Sequence, residues 1–161
     1  MNKCKIFKIL VLCFLFCISC KAKLSIETLF PKNISKLTLI QLIEGKKAIE
    51  MVNKIHGKPI NAKNAWIAYY KEISDKSSNE ATVWVSEAFS SFQAKKQTES
   101  MMEKITNSKK PFYNIQKLDG IYIFYGLGKK HAVFCKDRLV FWISANFEIF
   151  DDVLNHYKKL K

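Results

Sequence analysis

The chain has 161 residues, 27 basic against 14 acidic side chains, a formal charge of +13 and 48% hydrophobic residues. That length suits one domain with a real core rather than two, and the apolar content, with only five glycines and three prolines, excludes a disordered or loop-dominated chain. The charge favours anionic partners, but Arg138 is the one arginine, and bidentate reading of phosphates and bases depends on arginine, so nucleic acid is not an expected partner.

Lys3, Lys5 and Lys8 make a positive start, residues 9–19 carry no charge, and Ile18-Ser19-Cys20 places a small residue before a cysteine. A basic start, an apolar segment of about 7–15 residues and small residues at the cut make a secretory signal peptide. A spanning helix needs about 20 apolar residues, more than lie between Lys8 and Lys21. Over residues 1–21 alone, this pattern resembles the leader of bacterial lipoproteins, with Cys17 where that family usually has leucine. The resemblance implies that residues 1–19 are a signal peptide removed on export. It also implies that Cys20 carries a diacylglycerol thioether and usually a further acyl chain, such as palmitate, on its amine. Two or three acyl chains make attachment to a membrane effectively stable, whereas one anchors only marginally. Lys21 stands where an aspartate would favour inner-membrane retention. The expected place is therefore the cell envelope, at the periplasmic face of the outer membrane or the cell surface, with the cytoplasmic membrane as the alternative. A lipid-free cut after Ala22 and an uncleaved anchor are the competing readings.

Residues 20–36 read as anchor and tether, with Lys21 and Lys23 set to meet anionic lipid headgroups. Leu24, Ile26, Leu29 and Phe30 give this segment apolar residues that can dock on the domain. Residues 37–161 read as a single α+β domain. Residues 37–43 form a branched apolar run, hence a strand; Glu44-Gly45 breaks it; residues 46–56 then form a helix with Ala48, Ile49, Val52 and Ile55 on one face. Residues 65–71 and 81–87 alternate as strands around a polar turn at 74–79, a hairpin. A helix over 88–106 carries Ala94, Thr98, Met101, Met102 and Ile105 in one stripe. Strands at 112–118, 121–127, 131–136 and 139–144 follow, separated by Asp119-Gly120, Gly128-Lys129-Lys130 and Asp137-Arg138. A last helix, capped at Ser144 or Asn146, has Phe150, Val153, Tyr157 and Leu160 as its apolar face. The expected fold class is α+β, a mainly antiparallel sheet with about three helices. Its first part has the β-α-β-β-α-β element order of a ferredoxin-like unit, and a β-meander and a C-terminal helix follow.

The chemistry-bearing residues are sparse. Four of five cysteines (Cys4, Cys13, Cys17, Cys20) fall in the leader, leaving Cys135 without an internal disulfide partner. Its apolar run, residues 132–135, reads as core; a reactive thiolate would need a base or cation beside it. His56, His131 and His156 lack the i, i+3 or i+4 spacing of a helical zinc site, and no C-x-x-C-H haem motif occurs. His131 and Cys135, four apart on one strand, stand about 13 Å from each other. No metal or cofactor is expected. Gly126-Leu127-Gly128 lacks the third glycine of a phosphate loop and runs into a strand, so it reads as a hairpin turn. No G-x-S-x-G elbow and no paired acidic motif occur.

These observations favour a lipid-anchored, non-enzymatic binding or assembly module. Anionic lipid headgroups, envelope polysaccharide and envelope protein are its candidate partners, beside the membrane reached through Cys20. The first alternative is a small-ligand carrier with an aromatic pocket between sheet and helices, lined by Tyr125, His131 and Trp142. The second is a redox or enzymatic protein using Cys135 or His131.

Overall fold

The computed structural model describes residues 24–56, 59–74, 78–108 and 112–160. The leader and Cys20 lie outside these residues. So do the middle of the 74–79 turn and Gly57, which follows the first long helix.

The elements run α1 (Ile26–Leu29), β1 (Asn33–Ile34), β2 (Leu37–Glu44), α2 (Gly45–His56), β3 (Asn64–Glu72) and β4 (Glu80–Glu87). Then follow α3 (Ser91–Thr106), β5 (Tyr113–Leu118), β6 (Ile121–Gly126), β7 (Lys129–Lys136), β8 (Leu139–Ala145) and α4 (Phe147–Lys159). The fold is α+β, with the expected sheet, meander and closing helix; α1 is an additional short turn of helix. No helix among the described residues is long and apolar enough to cross a membrane.

All eight strands join one sheet in the order β1-β2-β3-β4-β8-β7-β6-β5. Every pairing is antiparallel. The β-α-β-β-α-β element order is present, but β2 and β3 are antiparallel neighbours rather than the parallel strands of a split β-α-β unit. Helix α2 leaves β2 through Gly45, whose φ of +64° allows the sharp turn, and the chain returns to the same end of the sheet. Helix α3 carries the chain from β4 to the far edge at β5, packing over β7 and β8 on the way.

Alternation along each strand sorts the side chains onto two faces. On one, Trp66, Ala68 and Tyr70 of β3, Val83 and Val85 of β4, and Phe141 and Ile143 of β8 form the main core with α4. Leu29, Phe30 and Ile34 complete it, each 3% exposed. The segment read as a tether is therefore part of the domain from Leu24 onward, docked by the apolar residues it carries. On the opposite face, α2 packs its Ala48 and Val52 over Ile67. There α3 packs Met102 and Ile105 over Phe124 and Val133. These helices cover the two flanks of this face and leave its middle open.

Candidate functional site

The open middle is a concavity of about 810 Å³, within the range of small-molecule sites. Its floor is aromatic. Trp84 and Trp142 are register partners across β4 and β8, their rings 5.9 Å apart and inclined at 57°. One wall is the end of α2 and the loop after it, with Val52, Pro59 and Ile60; the other is α3.

Helical periodicity explains how α3 serves two masters. Its buried stripe, Ala94, Thr98, Met102 and Ile105, faces the sheet. An adjacent stripe, Gln93, Lys96, Gln97, Ser100 and Lys104, lines the concavity. The amides of Gln93 and Gln97 both donate to the Asn61 carbonyl, at 3.2 and 2.6 Å, tying α3 to the loop after α2. On that loop the Ile60 N–H donates to Asn53 Oδ1 at 2.7 Å. Ser90 caps the helix by accepting from the Gln93 N–H at 3.2 Å.

His131 closes the far end of the floor and is 4% exposed. Its Nε2 lies 2.9 Å from the Gly126 carbonyl. A carbonyl only accepts, so Nε2 carries the proton. Its Nδ1 accepts from the Trp142 indole N–H at 3.3 Å. Both nitrogens are thereby used by a neutral ring, leaving no lone pair for a metal or for proton transfer. Burial holds the imidazole below the usual histidine value. The bond to Gly126 opposes that shift, and the charge of Lys129 adds to it. The ring stacks on Phe124 at 5.1 Å, with Phe112 edge-on at 5.5 Å. His131 is a positioning residue that fixes the Trp142 indole.

Of the three sequence-derived ligand candidates, His131 and Trp142 come together here. Tyr125 does not. It lies on the other face of the sheet, between Tyr113 at 5.8 Å and Phe147 at 5.8 Å, in a parallel stack. Odd positions of β6 face α4 and even positions face α3, so Tyr125 and Phe124 are separated by the sheet itself.

Cys135 is a half-buried free thiol, packed with Ala88, Ala94 and Val140. It borders a smaller hollow of about 370 Å³ beyond α3, with Lys95, Lys117 and Lys136. No cluster of three or more His, Cys, Asp or Glu able to hold a metal occurs among the described residues. The sequence reading missed Trp84 and the lining stripe of α3. The alternation of residues 81–87 already sets Trp84 beside Ser86, but only the β4–β8 pairing brings it against Trp142.

No protein-family model matches the chain, and no curated protein matches its sequence. Among solved structures, the extracellular domain of PknH from Mycobacterium tuberculosis is similar, with a TM-score of 0.53 and 9% identity over 76% of this chain and 78% of that one. At that identity the likeness concerns the fold alone.

Proposed function

We propose that this domain is a non-enzymatic binding module of the cell envelope, held to a membrane by acyl chains on Cys20. Its ligand sits in the concavity between α2 and α3. The observation that carries the reading is the paired tryptophans, Trp84 and Trp142, flooring a concavity of about 810 Å³. Large aromatic faces left open in a folded domain are characteristic of binding surfaces. The committed state of His131 favours binding over catalysis, since the one imidazole among the described residues of the lining already spends both nitrogens on structure. The similar solved domain is itself extracellular, which agrees with an envelope location. Among the sequence-stated partners, small envelope molecules fit the concavity better than a protein, which needs a broader surface.

Thermal unfolding of the full chain in the presence of small-molecule fractions extracted from the envelope tests this reading. A ligand that binds only the folded state raises Tm, with a hundredfold excess over Kd adding about 2.7 kcal/mol. One fraction that raises Tm for the native chain and not for Trp84→Asp is expected; no effect from any fraction contradicts the reading. Anchoring is tested by the mass of the N-terminal peptide. An acylated Cys20 is expected, and a chain beginning unmodified at Lys23 contradicts it.

A further inference from the structure

Resting on the acyl anchor at Cys20, and not on a ligand in the concavity, we propose that one end of the sheet is a docking surface for an anionic lipid bilayer. It is the end at which β4 turns into α3. Phe89 on that turn and Phe92 in the first turn of the helix are 60% and 77% exposed. Lys95 and Lys96 follow Phe92 at the three- and four-residue intervals that share a helix face, and both are exposed. The Lys63 N–H donates to the Glu87 carbonyl at 2.7 Å, which brings a further exposed lysine to the same turn. Lys158, from the last turn of α4, lines the hollow beside Cys135 together with Lys95. Apolar rings flanked by lysines suit a headgroup layer. The rings enter the acyl boundary, and the cations stay among the phosphates.

Charge is graded along the strands. At the opposite end of the sheet cations are answered by carboxylates, in the pairs Lys36–Glu72, Lys129–Glu80 and Lys130–Asp151. Helix α4 runs between the two ends in the same sense, with Glu148, Asp151 and Asp152 in its first half and Lys158 and Lys159 in its last turn. At the docking end Glu87 is paired with Arg138, and Asp119 and Asp137, in the neighbouring hairpin turns, are outnumbered by the lysines. The anchor commits this surface to a bilayer rather than to a protein. Leu24 packs against the core and stands four residues after Cys20, a reach of about 14 Å at most. Acyl chains on Cys20 therefore hold the domain beside the headgroups. Phe30 lies 6.3 Å from Trp66, whose strand begins two residues earlier opposite Glu87. The segment leading in from the anchor thus reaches toward the docking end.

Brominated lipids test this on the protein taken from its own membranes and reconstituted in vesicles of phosphatidylcholine and phosphatidylglycerol. Bromine on the acyl chains quenches tryptophan on contact. Phe92→Trp is expected to add emission, over that of the native chain, which these lipids quench. Phe147→Trp, at a position 50% exposed at the opposite end, is expected to add emission that they leave intact. Lys95→Gln with Lys96→Gln should lower the ratio of docked to undocked protein about thirtyfold, as for two lysines leaving an anionic surface. Omitting phosphatidylglycerol should lower it likewise. Flotation with the vesicles reports the anchor separately. Protein that floats with neither added tryptophan quenched, or with both quenched alike, overturns the docking surface and leaves the anchor standing. Quenching of Phe92→Trp that is indifferent to both the lysines and phosphatidylglycerol overturns the anionic partner. A dimer that shields Phe92→Trp in the absence of lipid assigns the rings to a second copy and overturns the bilayer. Protein that does not float removes the anchor and the docking together.

Discussion

His131 and His156 make the stability of the fold depend on pH. Burial holds both below the ordinary histidine value, which is about 6.5. Between the folded and unfolded values the unfolded chain binds more protons, so stability is full above pH ~6.5 and falls as pH drops below it. Each histidine contributes at most about 1.4 kcal/mol per pH unit to that slope. Urea unfolding at several pH values between 5 and 7.5 should show the slope, and His131→Gln should flatten it; an unchanged slope would mean that His131 charges within the fold. Tyr157 makes a second residue-scale prediction. Its ring is fully buried, and its hydroxyl has no hydrogen-bond partner among the described residues. Burial, first of all, and the neighbouring Tyr70 hold its phenol above the ordinary value, and burial pushes Tyr70 up to about 12. Tyr157→Phe removes an unpaired polar atom and should raise stability by about 1 kcal/mol. Tyr157→Ala empties the core and should cost about 3–5 kcal/mol, so denaturant midpoints of the two variants separate the hydroxyl from the ring.

Local chemistry placed most elements correctly. The stripe of α3 and the apolar face of α4 follow the helical period, and the meander strands are punctuated by turn residues. Boundaries moved where tertiary partners compete. Residues 88–90 lie outside α3 because the Ala88 N–H donates to the Arg138 carbonyl and Ser90 serves as the cap. Asn146 stands at the start of α4, as expected, but its Oδ1 accepts from the Glu80 N–H at 2.7 Å and so clamps β4 instead of capping the helix. Two elements carry predictions. The β6–β7 turn places Leu127 at φ +54° and Gly128 at φ +74°, a conformation that asparagine adopts readily and leucine resists. Leu127 is 66% exposed and borders the concavity. Leu127→Asn should therefore raise the unfolding midpoint by the equivalent of about 1 kcal/mol, and an unchanged or lowered midpoint would show that the leucine is not strained. The docked α1 segment is the other. Leu29→Ala should cost about 2–5 kcal/mol if residues 24–34 belong to the core, and almost nothing if they behave as a free tether.

At the scale of the molecule, the order of strands was not legible in the sequence. Hairpins reveal neighbours, but nothing local says that β8 inserts between β4 and β7. That long-range pairing sets Trp84 against Trp142 and assembles the concavity. It also decides which aromatic belongs with which: Tyr125 and His131 are close in sequence and both aromatic, yet the sheet divides them. The site was therefore legible only in part, through His131 and Trp142, whose β7 and β8 strands form a hairpin. The covered flanks and open centre of this face are proposed to serve a ligand. Native mass spectrometry of the mature protein taken from its own membranes, beside Ser100→Trp, is the decisive test. Ser100 is exposed on the lining face of α3, so a tryptophan there fills the concavity without entering the core. A non-covalent adduct on the native chain, lost on denaturation and absent from the variant at unchanged Tm, is expected. An adduct retained by the variant, or none on either chain, would contradict it.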